Sequence, residues 1–314
     1  VAGNGGNMIN EVLLWNAVVG GVVFGVVYAL IGCSLNVLAG VLRVINFAHG
    51  EFIIAGSFFA FALLNAFQLH PLVSLPLCAA LFSPAGCCLY ALLVPRLARS
   101  DEPETSSCLL MFGVSLMMVS VITWIFEADI QPMNFSFEPI NVTLFKIADA
   151  YGPGRDGRVL VPTARLVALV VNLGLIVALT WFFYRTLPGK ALRAATMNRE
   201  AVQIVGINIH RLSAMAFGLA TALAGITGVL LALVVPSIDP NGGPDIALIG
   251  FIVIVLGGLG HPVGALFAGI IFGFVEQFSN LLLPQAAAQM VGFIILVAVI
   301  FVRPEGLFGK ARMS

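Results

Sequence analysis

The chain has 314 residues, of which 60% are hydrophobic and 10% charged, with a formal net charge of +0 at pH 7. A soluble domain carries roughly 25% charged residues, so a water-soluble globular protein is excluded, and the balanced charge gives no footing for a nucleic-acid partner. Several apolar runs reach the roughly 20 residues that cross a bilayer as a helix, which makes the chain an all-α, polytopic helical membrane protein embedded in a lipid bilayer.

Residues 1–10 read as an N-terminal tail, and the apolar run that follows is too long and lacks the basic flank of a cleavable signal peptide. Apolar spans are predicted over 11–33, 51–67, 72–94, 107–126, 164–184, 212–235, 246–256, 265–283 and 289–302, with the segment 34–50 ambiguous. They give about 8–10 transmembrane segments within a single domain, 1–314, with one or two broken or re-entrant helices. Lys and Arg in short loops set the orientation. Arg96 and Arg99, the group Arg185, Lys190, Arg193, Arg199 and Arg211, and the group Arg303, Lys310 and Arg312 mark the inside. The 185–211 loop and the 303–314 tail are therefore cytoplasmic. The 127–163 loop, with Glu127, Asp129, Glu138, Asp149 and Asp156, reads as extracytoplasmic despite Lys146, Arg155 and Arg158. The turn-forming run 236–245 falls on that side too.

Five cysteines (Cys33, Cys78, Cys87, Cys88 and Cys108) sit in or beside apolar runs without metal-type spacing and read as small buried hydrophobes. Gly20-Gly21 and the small residues of 220–228 read as sites of close helix packing.

Two patches interrupt the apolar pattern. Arg43-Val44-Ile45-Asn46-Phe47-Ala48-His49-Gly50-Glu51 lies between apolar stretches with almost no solvated loop. Ionisable groups so close to hydrocarbon are costly and face a cavity or the protein interior. The second patch, Gly257-Gly258-Leu259-Gly260-His261-Pro262-Val263-Gly264-Ala265, again joins a His to Gly or Pro and a helix of small residues. Paired interruptions of this kind accompany repeats built from broken helices around a translocation path, and the pattern is compatible with an inverted repeat. The alternative for each patch is a tight cytoplasmic turn with its His at the interface. Glu276, in Phe274-Val275-Glu276-Gln277-Phe278, is read first as an acid solvated near the outer interface, and second as lining the path.

The chain has no Gly-x-x-x-x-Gly-Lys-Ser/Thr phosphate loop, no His-Glu-x-x-His, no Gly-x-Ser-x-Gly and no intramembrane cluster of carboxylates and histidines. No catalytic or metal-binding residue and no cofactor is expected, and the protein is read as a non-enzyme without an ATPase site of its own.

The polar, basic island from Gly189 to Ile207 carries Glu200-Ala201 six and five residues before Gly206. With Val202 in place of the last alanine, this resembles the Glu-Ala-Ala…Gly loop through which ABC-importer permeases touch their ATPases. Together with the Asn46–Glu51 motif, the second patch and the tail Arg303-Pro304-Glu305-Gly306-Leu307-Phe308-Gly309, the chain resembles the LivH-type permeases of branched-chain amino-acid ABC importers. That larger family also includes urea and aromatic-acid importers. The resemblance runs from Gly21 to Gly309 and implies a bacterial inner-membrane subunit that forms half of a translocation path for a small solute. The implied partners are a second, LivM-like permease, two cytoplasmic ATPase subunits and a periplasmic solute-binding protein. It further implies that Lys190 to Arg211 contain a rigid coupling helix, with Arg193, Arg199, Glu200, Ala201 and Gly206 at the ATPase contact. Asn46, Phe47, His49, Gly50 and Glu51, with Gly258 and Gly260 of the second patch, are the expected path residues. Leu259–Pro262 is one residue shorter than the family pattern. The competing class is a secondary carrier or facilitator, for which Glu51 and Glu276 are the obvious carboxylates.

Overall fold

With no water to satisfy N–H and C=O groups in hydrocarbon, apolar runs form helices that close their own hydrogen bonds. A computed structural model of the chain describes residues 11–42, 46–97, 103–133, 135, 137, 140–147, 157–258, 262–303 and 306–307. In chain order the elements are α1 (Glu11–Leu42), α2 (His49–Phe67), α3 (Pro71–Leu97), α4 (Pro103–Phe126), β1 (Gln131–Pro132), β2 (Asn141–Ile147) and β3 (Gly157–Pro162). There follow α5 (Thr163–Arg185), α6 (Leu187–Met197), α7 (Arg199–Ile204), α8 (Ile209–Val234), β4 (Ser237–Ile238), α9 (Gly243–Gly257), α10 (Pro262–Leu282) and α11 (Gln285–Val302). Among the described residues, α1 to α5, α8 and α10 are the seven helices long and apolar enough to cross a membrane. Two further apolar helices, α9 and the Met290–Val302 part of α11, are shorter than these seven, where about eight to ten crossings were expected.

The first span was expected to stop at Cys33, but α1 continues to Leu42. The polar residues that seemed to end it are accommodated inside the bundle: the Ser34 hydroxyl donates 2.8 Å back to the Ile31 carbonyl, and Asn36 is buried. At 32 residues the helix is about 48 Å long by its rise per residue. It packs on α10, α8, α9 and α5.

Small residues set these packings. A Cβ at Gly25 of α1 would lie 2.8 Å from the Ile270 Cα of α10, so the two backbones touch. Gly225 of α8 meets Cys78 and Phe82 of α3, and Gly228 meets the Ile53 carbonyl of α2. The Gly20-Gly21 and 220–228 runs are thus packing sites, as read. Cys33 and Cys78 are buried, Cys87 and Cys108 are partly covered, and Cys88 departs from expectation by being exposed on the outward face of α3.

The strands gather at one end. β1 pairs antiparallel with β4, and β2 with β3, with a register shift between Thr143 and Phe145. The 127–163 and 236–245 loops therefore share one side, and Trp15 at the start of α1 packs edge-on against Phe145 there. At the opposite end lie α6 and α7, the meeting of Tyr90 with His210 at 3.5 Å, and the tail, where the Leu307 amide donates to the Leu256 carbonyl. Among the described residues, Arg185, Lys190, Arg193, Arg199 and Arg211 thus lie at the end opposite Glu127 and Asp129.

Candidate functional site

Two sites grow out of this frame: a polar knot inside the bundle and a two-helix platform at the basic end.

The knot forms because α2 starts at His49 beside Ser34, eight residues before α1 ends at Leu42, which is about 12 Å along the helix. Asn46 shapes the turn, its Oδ1 accepting from the Ala48 amide at 3.0 Å. His49 is fully buried, with Nε2 2.8 Å from the Ser34 Oγ. The serine's one proton goes to the Ile31 carbonyl, so Oγ accepts from His49 and the network assigns the Nε2–H tautomer. His49 Nδ1 is then a bare acceptor, and it has no partner.

Glu51 is fully buried in the first turn of α2, with Oε1 accepting from the Ser115 hydroxyl of α4 at 3.1 Å and Oε2 unpartnered. A carboxylate in a first turn is favoured by the helix dipole. A Cβ at Gly50 would strike the Gly243 carbonyl, and one at Gly243 would strike the Glu51 carboxyl group. The N-terminal turns of α2 and α9 therefore meet backbone to backbone, with glycine on both sides. Phe47 is 40% exposed and packs against Phe251 of α9, ring centroids 5.7 Å apart. The knot thus presents three unpartnered buried polar atoms, Asn46 Nδ2, His49 Nδ1 and Glu51 Oε2. His49 is therefore interior to the protein, not part of an interfacial turn.

Gly258 of the second patch packs against the tail. It ends α9 with φ of 88°, and a Cβ at Gly306 would approach its amide nitrogen to 2.8 Å. Gly260 and His261 lie outside the described residues. Glu276 is a correction. Instead of being solvated it is 5% exposed, hydrogen-bonded to Tyr28 of α1, with Oε2 unpartnered. The tight α1–α10 seam encloses it. The contacts of Glu51 are with α4 and α9, and those of Glu276 with α1, so they do not form one carboxylate pair.

The 185–211 segment, expected to contain the coupling helix, holds two short helices, α6 and α7, before α8 begins. Three N-caps divide it: Thr186 accepts from the Gly189 amide, Asn198 from the Ala201 amide, and Asn208 from the His210 and Arg211 amides, at 3.0–3.1 Å. Side-chain caps satisfy the orphan donors of a new helix start; Asn198 ends α6 and begins α7, and Asn208 begins α8 after α7 has ended at Ile204. Gly206 turns the chain between α7 and α8 with φ of 85°, a conformation that costs an L side chain. Leu192, Ala195 and Val202 are buried and root the platform in the bundle.

Of the predicted contact residues, Glu200 and Ala201 are exposed on α7. Arg193 lies over the Tyr184 ring of α5 at 4.2 Å, and Arg199 reaches the Ser213 hydroxyl of α8 at 3.5 Å. The sequence reading missed Met197, Ile204 and Val205, which stand 83%, 87% and 77% exposed at the basic end. Its signal was available, since Ile204-Val205 is an apolar pair directly before a turn glycine.

The profile of the family described as "Branched-chain amino acid transport system / permease component" matches residues 17–300. "High-affinity branched-chain amino acid transport system permease protein LivH" of Salmonella typhimurium is 29% identical over 297 residues, covering 94% of this chain and 95% of that one. The corresponding BraD protein of Pseudomonas aeruginosa is 27% identical, covering 94% and 96%. "Ribose import permease protein RbsC" of Escherichia coli is 29% identical over 172 residues, 52% of each chain. No solved structure matches.

Proposed function

The chain belongs to the family of branched-chain amino acid transport system permease components, and from that premise we propose that it is the membrane half-path of an ABC importer for branched-chain amino acids. It works with a second, LivM-like permease, two cytoplasmic ATPase subunits and an extracytoplasmic solute-binding protein, with its C-terminus cytoplasmic. The single observation that carries the reading is the α6–α7 platform: outside the apolar spans, rooted in the bundle, and presenting Ile204 and Val205 bare.

An exposed apolar pair in water is a docking feature, and the platform's ties make it a lever. Gly189 rests on the Phe182–Phe183 backbone of α5, Arg193 stacks on Tyr184, and Arg199 reaches Ser213 of α8. Closure of the ATPases on ATP binding moves α6 and α7 as one body and pulls α5 and α8 with them. Because α8 packs on α1, α2 and α3, that motion reaches the knot, where Asn46, His49 and Glu51 offer both donors and acceptors to a passing zwitterion.

In proteoliposomes holding the assembled importer and its binding protein, Ile204→Asp should abolish ATP-driven uptake of labelled leucine while the membrane domain stays folded. Undiminished uptake by that variant would remove the platform from the ATPase contact.

A further inference from the structure

A cavity with a polar, cationic wall lies away from the knot. It is bounded by the first turns of α1, by β3, by the first turn of α5 and by the last turns of α10, and its volume is about 260 Å³. None of its lining residues belongs to α2, α4 or α9. It lies at the strand end, the outer side on the orientation proposed above, and the inference rests on that reading.

The chemistry of its walls is one-sided. Arg165 supplies a cation, Asn16, Gln277 and Asn280 supply primary amides, and among the described residues no acidic one lines it. Arg165 does not simply snorkel to water. Its Nε donates 3.1 Å to the Val234 carbonyl at the end of α8, and its guanidinium lies over the Phe24 ring at 5.7 Å. Those two contacts fix the plane of the guanidinium. Its terminal nitrogens, the pair suited to a bidentate oxyanion, are left to the cavity it lines. Gly20 opens the α1 wall, and a Cβ there would meet the Gln277 amide at 2.9 Å. Leu13 and Leu160, also in the lining, are half exposed, giving an acyl chain an apolar way out. The volume is below the roughly 300 Å³ at which pockets for whole drug-sized ligands begin and suits a headgroup.

We propose that this cavity binds the phosphodiester of an outer-leaflet phospholipid, held by Arg165 with Asn16, Gln277 and Asn280, and selects anionic headgroups. The selectivity follows from the unbalanced charge of Arg165, since among the described residues the lining offers the ammonium of a zwitterionic headgroup only neutral amide oxygens and no carboxylate.

The test is native mass spectrometry of the assembled importer, delipidated and then exposed to phosphatidylglycerol, to phosphatidylcholine, or to phosphatidylglycerol with millimolar inorganic phosphate. The wild type should retain phosphatidylglycerol over phosphatidylcholine, and free phosphate should not displace it. Arg165→Gln should lower retention about tenfold or more, the effect of losing charge-assisted hydrogen bonds. Gly20→Leu, which fills the cavity while leaving Arg165 in place, should lower it similarly even if Arg165→Gln fails to fold. Retention unchanged in Gly20→Leu or in a folded Arg165→Gln, no preference between the two lipids, or displacement by free phosphate would each overturn the assignment.

Discussion

Replacing Gly206 by valine isolates the backbone of the coupling turn. The residue has φ of 85°, and a Cβ built on it meets nothing within 4 Å, so no clash enters and only conformational strain remains. For an L residue in the left-handed region that strain is about 1–2 kcal/mol, a factor of roughly 5–30 in the population of the native turn. Relaxing to negative φ gives up the Ile207 amide bond to the Val202 carbonyl (3.2 Å) and re-aims α7 relative to the Asn208 cap. Uptake per ATP hydrolysed, measured in proteoliposomes with solute-loaded binding protein, should fall about 5–30-fold in Gly206→Val by the same arithmetic. Gly206→Asn should keep most of it, because asparagine tolerates this region. The transmembrane melting temperature should be unmoved in both. If valine couples as well as glycine, the turn does not set the aim of α7 and the lever mechanism is wrong.

Other substitutions probe the bundle and the knot. Gly50→Ala drives a methyl into the Gly243 carbonyl and should cost about 1–3 kcal/mol by overpacking. By contrast Gly113→Ala, with nothing within 4 Å, should be neutral or gain up to about 1 kcal/mol of helix propensity; thermal melts in detergent compare the two. Tyr28→Phe strands the Glu276 carboxyl group and should destabilise by about 1–3 kcal/mol. Adding Glu276→Gln should return part of that loss, read as a non-additive double-mutant cycle. Glu51→Gln can keep the hydrogen bond from Ser115 to Oε1 but replaces the unpartnered acceptor Oε2 with an NH2 donor and removes the charge, so uptake should drop sharply with assembly intact, whereas Ser115→Ala should cost only about 1 kcal/mol, near fivefold. Equal uptake by Glu51→Gln and wild type would take the carboxylate out of the path.

The helices were legible because hydrocarbon leaves an apolar run no other choice, and the two sides were legible because Arg and Lys avoid translocation. The limits of α1 were not. Ser34 and Asn36 look like a helix end until it is known that His49 folds back to bond Ser34 and that the surrounding helices bury both. That is long-range information, as is the Tyr28 partner of Glu276, so a buried acid read as a solvated one. Gly258 went to the tail for the same reason, since Gly306 occupies the space beside it. The divided coupling island is different in kind. Asn198 and Asn208 carry their capping signal in the local sequence, each an asparagine directly before a helix start. Ser115 carried no local signal; only the approach of α4 to α2 makes it the partner of Glu51.

Driving by separate ATPases is tested most directly by purifying the tagged chain from its native membranes in mild detergent and weighing the intact complex. The importer predicts a particle in which this chain is joined by a second permease and two ATPase subunits, with those subunits lost from Ile204→Asp. Recovery of the wild-type chain alone, or only with copies of itself, would contradict it.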